Sequence, residues 1–193
     1  SGVGEVSAAT GYKQAYVIKS GRTVLDDGGG VCQVSTTLFR AALKAGLPIP
    51  ERTGHAYRVG YYEQGGFPPG MDATVFAPSV DLKFKNDTPN YLLLQAYTVA
   101  NNLYIDIYGT SDGRVTSLSA PKVTNQTPPP PDLHQDDPTL PRGTVQQVDW
   151  AAWGANVSFT RKVTRGDETL VSETWNTSYR PWQAVYLVGT KDQ

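Results

Sequence analysis

Between Gln33 and Ala45 the apolar residues Val34, Leu38, Ala41, Ala42 and Ala45 recur at spacings of three and four, the period of an amphipathic helix. The pattern predicts one principal helix over about 33–45, ended by Gly46 as its C′ residue, with Pro48 and Pro50 beyond it preventing continuation. Elsewhere the period shortens to two. Residues 11–25, GYKQAYVIKSGRTVL, predict two short strands, with Ala15, Val17 and Val24 flanking a turn at Ser20 and Gly21. Ala56, Tyr57, Arg58 and Val59 alternate after His55, predicting a strand start that aims the imidazole to one side. The glycines and prolines of 64–70 predict a loop able to wall a cleft. Asp72–Val75 begins a further strand, and Asp81–Asn86 sets Leu82 and Phe84 against Lys83 and Lys85. Segments 91–99 and 103–108 form a hairpin around Asn101 and Asn102.

The pattern breaks between Pro121 and Arg142. Four consecutive prolines, Pro128 to Pro131, stand among few apolar residues, which predicts a semi-rigid polyproline spacer with His134 exposed on it. Alternation resumes after Gly143, with turns at Gly154, 165–167 and 179–181, predicting three or four antiparallel strands. Trp175, Tyr179 and Trp182 there serve equally as core or as a ligand platform. The expected architecture is α+β: a mainly antiparallel sheet carrying the single helix over 1–120, a linker over 121–142, and a small all-β module over 143–193.

Composition supports this. Nineteen glycines, 14 prolines, 11 tyrosines and four tryptophans suit short strands joined by turns. A net charge of −1 without any basic run argues against a nucleic-acid partner. No apolar run reaches bilayer length and no signal-peptide pattern appears, so the chain as given is expected to be soluble, without a membrane span, and monomeric. One cysteine and two histidines leave no internal disulfide and no metal-ligand cluster, and nothing calls for a cofactor.

The single cysteine, Cys32, changes the picture most. It follows Gly28, Gly29 and Gly30 and precedes the helix. There, unpaired backbone N–H groups and the helix dipole favour a thiolate. A lone cysteine can equally be a small buried hydrophobe. Three features favour a nucleophile: the glycines that let successive N–H groups converge, the polar residues Gln33, Ser35, Thr36 and Thr37, and His55 downstream. The N–H groups of Cys32 and of its neighbours Gly29, Gly30 and Gln33 are the expected oxyanion donors.

The segments GGGVCQVSTTLFRAALKAGLPIPER (28–52), GHAYRVGYY (54–62), PPGMDATV (68–75) and DLKFKNDTPNYLLLQAY (81–97) resemble the VanW family of bacterial cell-envelope proteins. ETWNTSYRPWQAVYLVGTK (173–191) resembles the G-five type of extracellular β-module, a wall-binding or spacer unit. The family takes its name from glycopeptide-resistance gene clusters, and some members are regarded as peptidoglycan L,D-transpeptidases that form 3-3 cross-links. The resemblance therefore implies an extracytoplasmic enzyme acting on peptidoglycan stem peptides, with Cys32 as nucleophile and His55 as base. Asp72 is expected to orient His55, and Arg58 or Tyr62, beside Ser35 and Thr36, to contact the stem peptide. Two other readings stand beside it: a papain-like cell-wall endopeptidase and a non-catalytic envelope-binding module.

Overall fold

The computed structural model describes residues 4–19, 22–76 and 79–192, with backbone alone for 16–24. The fold is α+β. A hairpin of β1 (Gln14–Lys19) and β2 (Arg22–Asp27) leads into the helix α1 (Val31–Lys44); the turn expected at Ser20 and Gly21 lies outside the described residues. A second hairpin pairs β3 (Leu93–Val99) with β4 (Asn102–Tyr108). Its register joins Val99 to Asn102, so the two-residue turn is Ala100–Asn101, one position earlier than expected, and Ala100 takes φ 51°.

The remaining strands are β5 (Arg114–Leu118), β6 (Lys122–Thr127), β7 (Leu133–Pro141), β8 (Val145–Asp149), β9 (Gly154–Arg165), β10 (Glu168–Tyr179) and β11 (Val185–Lys191). β9 is the axis of one sheet. β10 pairs antiparallel along one edge, while β5 and β6 pair in succession along the other. In the second sheet β11 lies between β7, which runs parallel to it, and antiparallel β8.

The proline-rich segment is therefore sheet rather than a free spacer. Its prolines stand where the ladder tolerates a missing N–H: Pro128 to Pro131 fall between β6 and β7, and β7 pairs only with β11, as befits an edge strand. His134 is exposed there, stacked on Tyr186 at 5.2 Å. Three predicted strands are absent, and of these 72–75 forms only the isolated bridge Thr53 to Thr74. Residues 55–59 form an irregular loop, because the His55 N–H bonds a carboxylate and Ala56 O accepts the Arg180 N–H at 2.8 Å. Segment 81–86 forms only a bridge, Glu51 to Lys83, although Leu82 and Phe84 do turn inward and the lysines outward.

The helix rotates its buried face away from the expected stripe. Ser35, Thr36, Phe39, Ala42 and Leu43 are buried, whereas Val34 is exposed. Phe39 and Leu43 join Met71, Ala73 and Phe159 in the main core, flanked by Trp175 and Leu118. Ser35 and Thr36 can face inward because their hydroxyls find Ala73 O at 2.6 and 3.2 Å. Among the described residues, no helix is long and apolar enough to cross a membrane.

Gly46 ends the helix as the sequence predicts. Leu47 N–H bonds Ala42 O and Gly46 N–H bonds Leu43 O, both at 3.1 Å, with Gly46 at φ 72°. A Cβ there would sit 2.8 Å from Thr116 Oγ1 and 3.0 Å from Val163 Cγ1. Gly46→Ala combines a left-handed backbone with this crowding. It should lower stability by about 2 kcal/mol or more, read as a lower urea midpoint at unchanged slope.

Candidate active site

The first turn of α1 carries Cys32 at its second position, after Gly30 at φ 85° as N-cap. Only a residue tolerant of the left-handed region can turn the chain from the β1–β2 hairpin into the helix at this point. Two of the four backbone donors expected around the thiol are committed elsewhere. Gly29 N–H bonds Lys13 O and Gln33 N–H bonds Gly30 O, both at 3.0 Å. Neither the Cys32 N–H nor that of Gly30 is a donor in these hydrogen bonds around the first turn.

The half-buried Cys32 sulfur lies 3.4 Å from Thr74 Oγ1 and 3.7 Å from Val75 O. Across from it, His55 Nδ1 is 2.6 Å from Asp72 Oδ2, and the same oxygen accepts the His55 N–H at 2.7 Å. With Nδ1 held by the carboxylate, Nε2 is the ring nitrogen left free, and Cys32 is close enough for the two side chains to shift each other's ionisation. The structure thus brings together Cys32, His55 and Asp72.

Their ionisation follows from these contacts. Burial raises the Cys32 thiol, but the hydrogen bonds with His55 and Thr74 outweigh it and lower the group to about 7. Burial likewise works against the His55 imidazolium, yet Asp72 and then Cys32 raise it to about 9. Asp72, against its own burial, is held down to about 2 by His55, Tyr179 and Arg52. Between about 7 and about 9 the favoured state is therefore a thiolate beside an imidazolium.

The other expected site residues take different places. Ser35 and Thr36 are buried and do not face a ligand. Ser35 Oγ donates to Ala73 O, and Thr36 Oγ1 also accepts the Ala73 N–H at 3.1 Å. They fasten the segment carrying Asp72 onto the helix carrying Cys32. The Arg58 fork is filled by Glu63, at 2.6 and 2.7 Å, so it offers no free cation to a stem carboxylate. Tyr62 is buried, its ring 4.9 Å from the His55 ring, and it packs the imidazole in place.

Two supporting residues escaped the sequence reading. Arg52, buried under the site, donates from Nε to Asp72 O at 2.6 Å, from Nη2 to Gly70 O at 2.9 Å and from Nη1 to Thr177 Oγ1 at 2.8 Å, with Nη2 3.4 Å from Asp72 Oδ1. Its place three residues before His55 was the one available signal. Tyr179, on β10, donates to Asp72 Oδ1 and accepts the Gly70 N–H at 2.9 Å. Nothing local marks a tyrosine 107 positions away.

Asp72→Asn removes the charge that holds the imidazolium. The thiol midpoint, followed by iodoacetamide alkylation against pH, should move up from about 7 by more than one unit. Tyr179→Phe leaves Asp72 Oδ1 and the Gly70 N–H each short of a partner. It should cost about 1–3 kcal/mol in urea unfolding.

Residues 1–108 match the family model described as VanW like protein. The chain is 35% identical over 126 residues to "Uncharacterized protein YoaR" of Bacillus subtilis (strain 168), covering 65% of this chain and 40% of that protein. It is 35% identical over 79 residues to "Vancomycin B-type resistance protein VanW" of Enterococcus faecalis (strain ATCC 700802 / V583), covering 41% of this chain and 29% of that protein. The chain thus spans less than half the length of these curated relatives. Among solved structures it resembles an IgA1 protease G5 domain at 19% identity and TM-score 0.24, over 43% of this chain and 99% of that one. It also resembles the G5 domain of HP0197 at 14% identity and TM-score 0.19, over 38% and 97%.

Proposed function

The chain belongs to the VanW-like protein family, and from that premise we propose that it is a thiol-dependent acyltransferase of the bacterial cell envelope, an L,D-transpeptidase acting on peptidoglycan stem peptides. One observation carries the reading: Cys32, His55 and Asp72 converge from three separate segments with the thiol lowered to about 7 and the imidazole raised to about 9. A cysteine kept only for packing needs no imidazole, and a buried histidine without chemistry needs no ionised partner on each side. Likeness to a protein named for vancomycin resistance supports the envelope as the setting.

In this mechanism the Cys32 thiolate attacks the carbonyl that joins the L-centre of the stem's diamino acid to a terminal D-alanine. The tetrahedral oxyanion rests on the N–H groups of Cys32 and Gly30. As the C–N bond breaks, His55 Nε2 gives its proton to the departing D-alanine amine, and a thioester remains on Cys32. The side-chain amine of a neighbouring stem then attacks the thioester, its proton passes to Nε2, and the thiolate leaves. Asp72 holds the ring in one tautomer throughout and balances the imidazolium. Water in place of the amine gives a carboxypeptidase with the same groups.

Incubation with disaccharide tetrapeptides should yield cross-linked dimers and free D-alanine by mass spectrometry. Cys32→Ala should abolish both, and an undiminished dimer yield from it would overturn the proposal. Cleavage of internal stem bonds without dimers would instead select the endopeptidase reading. Activity should rise with pH through about 7, as the thiol ionises, and fall above about 9, as His55 loses the proton it must donate.

A further inference from the structure

Backbone donors beside Cys32 are few, since the Gly29 and Gln33 N–H groups bond Lys13 O and Gly30 O. Acyl transfer needs its developing oxyanion met by donors already in place, so the side-chain donors around the sulfur matter. The hydroxyls of the helix are committed. Ser35 Oγ donates to Ala73 O at 2.6 Å, and Thr37 Oγ1 donates to Gln33 O at 2.8 Å. Thr36 Oγ1 donates to the same Ala73 O and accepts the Ala73 N–H. Thr74 differs. Among the described residues, the Cys32 sulfur, at 3.4 Å, is the one hydrogen-bond partner of its hydroxyl.

The place of Thr74 is fixed by the same segments that build the site. It forms an antiparallel bridge with Thr53, its N–H bonding Thr53 O at 2.8 Å. The bridge lies two residues before His55 and two after Asp72, and it clamps their segments together. Side chains two apart along extended chain project to one side. Asp72 and Thr74 do so: one reaches His55, the other Cys32. A β-branched side chain is stiff about χ1, so the freedom that remains is the rotation of the hydroxyl proton.

That rotation suits the reaction. When Cys32 is ionised, Val75 O at 3.7 Å has no proton to offer it, and the Thr74 hydroxyl donates to the sulfur. As the sulfur attacks a carbonyl carbon, the S–C bond forms and the π pair of the C=O bond moves to oxygen. The negative charge thus leaves the sulfur for an atom two bonds away. A donor already in contact with Sγ follows it by turning its O–H, without movement of the chain. Sulfur is a weak acceptor, whereas an oxyanion accepts a short, charge-assisted bond. The contact is therefore stronger in the transition state than in the ground state, the condition for speeding the chemical step.

Resting on the acyl-transfer reading above, we propose that the Thr74 hydroxyl is a catalytic donor to the oxyanion, beside the backbone N–H groups of Cys32 and Gly30. The same donor serves again when the acceptor amine attacks the thioester. The new C–N bond forms, the amine's proton passes to His55, the C–S bond breaks, and its electron pair returns to sulfur.

Thr74→Val keeps the shape and deletes the donor, whereas Thr74→Ser keeps the donor. Each is compared with the wild type in two reactions of Cys32, at a pH above the thiol midpoint of each variant. Alkylation by iodoacetamide attacks a tetrahedral carbon and builds no oxyanion. Acylation by p-nitrophenyl acetate, followed as the burst of nitrophenolate that Cys32→Ala lacks, builds one. Thr74→Val should alkylate at the wild-type plateau rate and acylate about a hundredfold more slowly. Thr74→Ala, smaller and equally without a donor, should give the same split, and Thr74→Ser should match the wild type in both reactions. Wild-type acylation by Thr74→Val overturns the proposal, as does the lack of a Cys32-dependent burst in the wild type. So does a parallel loss in both reactions, which would make Thr74 a support of the thiolate alone. The acyl-transfer reading fails on other evidence: disaccharide tetrapeptides that give no dimers sink it and leave the ester result as it is. Dimers formed while Thr74→Val acylates normally leave that reading standing and remove Thr74 from it.

Discussion

A buried carboxylate organises this protein. Asp72 is withdrawn from water, which costs an ionised group several kcal/mol unless other groups replace its hydration. Its two oxygens find the His55 N–H and Nδ1, the Tyr179 hydroxyl and the Arg52 guanidinium. Those donors come from the loop before the site and from β10 at the far end of the chain. The charge can stay ionised only when these segments are packed together, so the condition for folding around Asp72 is also the condition for a charged, oriented imidazole at Cys32.

The helix meets the same demand from its other side. At its N-terminal end, where partial positive charge accumulates, stands the thiol; at its C-terminal end stand cations. Buried Arg161 of β9 donates from Nη1 to Leu47 O at 3.0 Å, and Arg114 of β5 donates to Gly46 O at 3.0 Å. Arg161 Nη2 lies 2.7 Å from Glu173 Oε1 without hydrogen-bond alignment, an ionic contact that keeps the buried guanidinium paired. Phe39 then packs edge-on against Trp175 at 5.3 Å. The strands late in the chain thus fix the height and direction of α1, and Ser35 and Thr36 tie the Asp72 segment to it. The residues that carry the proposed reaction lie within 32–72, while much of what holds them lies beyond 110.

A groove lined by Tyr57, Tyr61, Trp150 and Trp153 shows the same division of labour. Its one wall belongs to the loop just after His55, its other to the chain around Asp149.

How much of this was legible in the sequence depends on the range of each interaction. The helix, its end at Gly46 and the β-rich remainder follow from local period and from the backbone freedom of one glycine, and they appear as predicted. Cys32 was legible because a glycine run before a helix is a local signature, and His55 and Asp72 because few titratable groups of the right kind lay nearby. The proline-rich segment misled because composition reports a preference for extended backbone, which an edge strand satisfies as well as a spacer does. Ser35, Thr36 and Arg58 misled because polarity alone cannot say whether a donor faces a ligand or another part of the chain. Only the tertiary structure decided that Ala73 O takes the two hydroxyls, that Glu63 takes the arginine, and that Tyr179 comes 107 positions along the chain to hold Asp72. A local pattern sets which backbone a segment adopts, whereas the partner of a buried polar group is set by what the whole packed chain places within 3 Å of it.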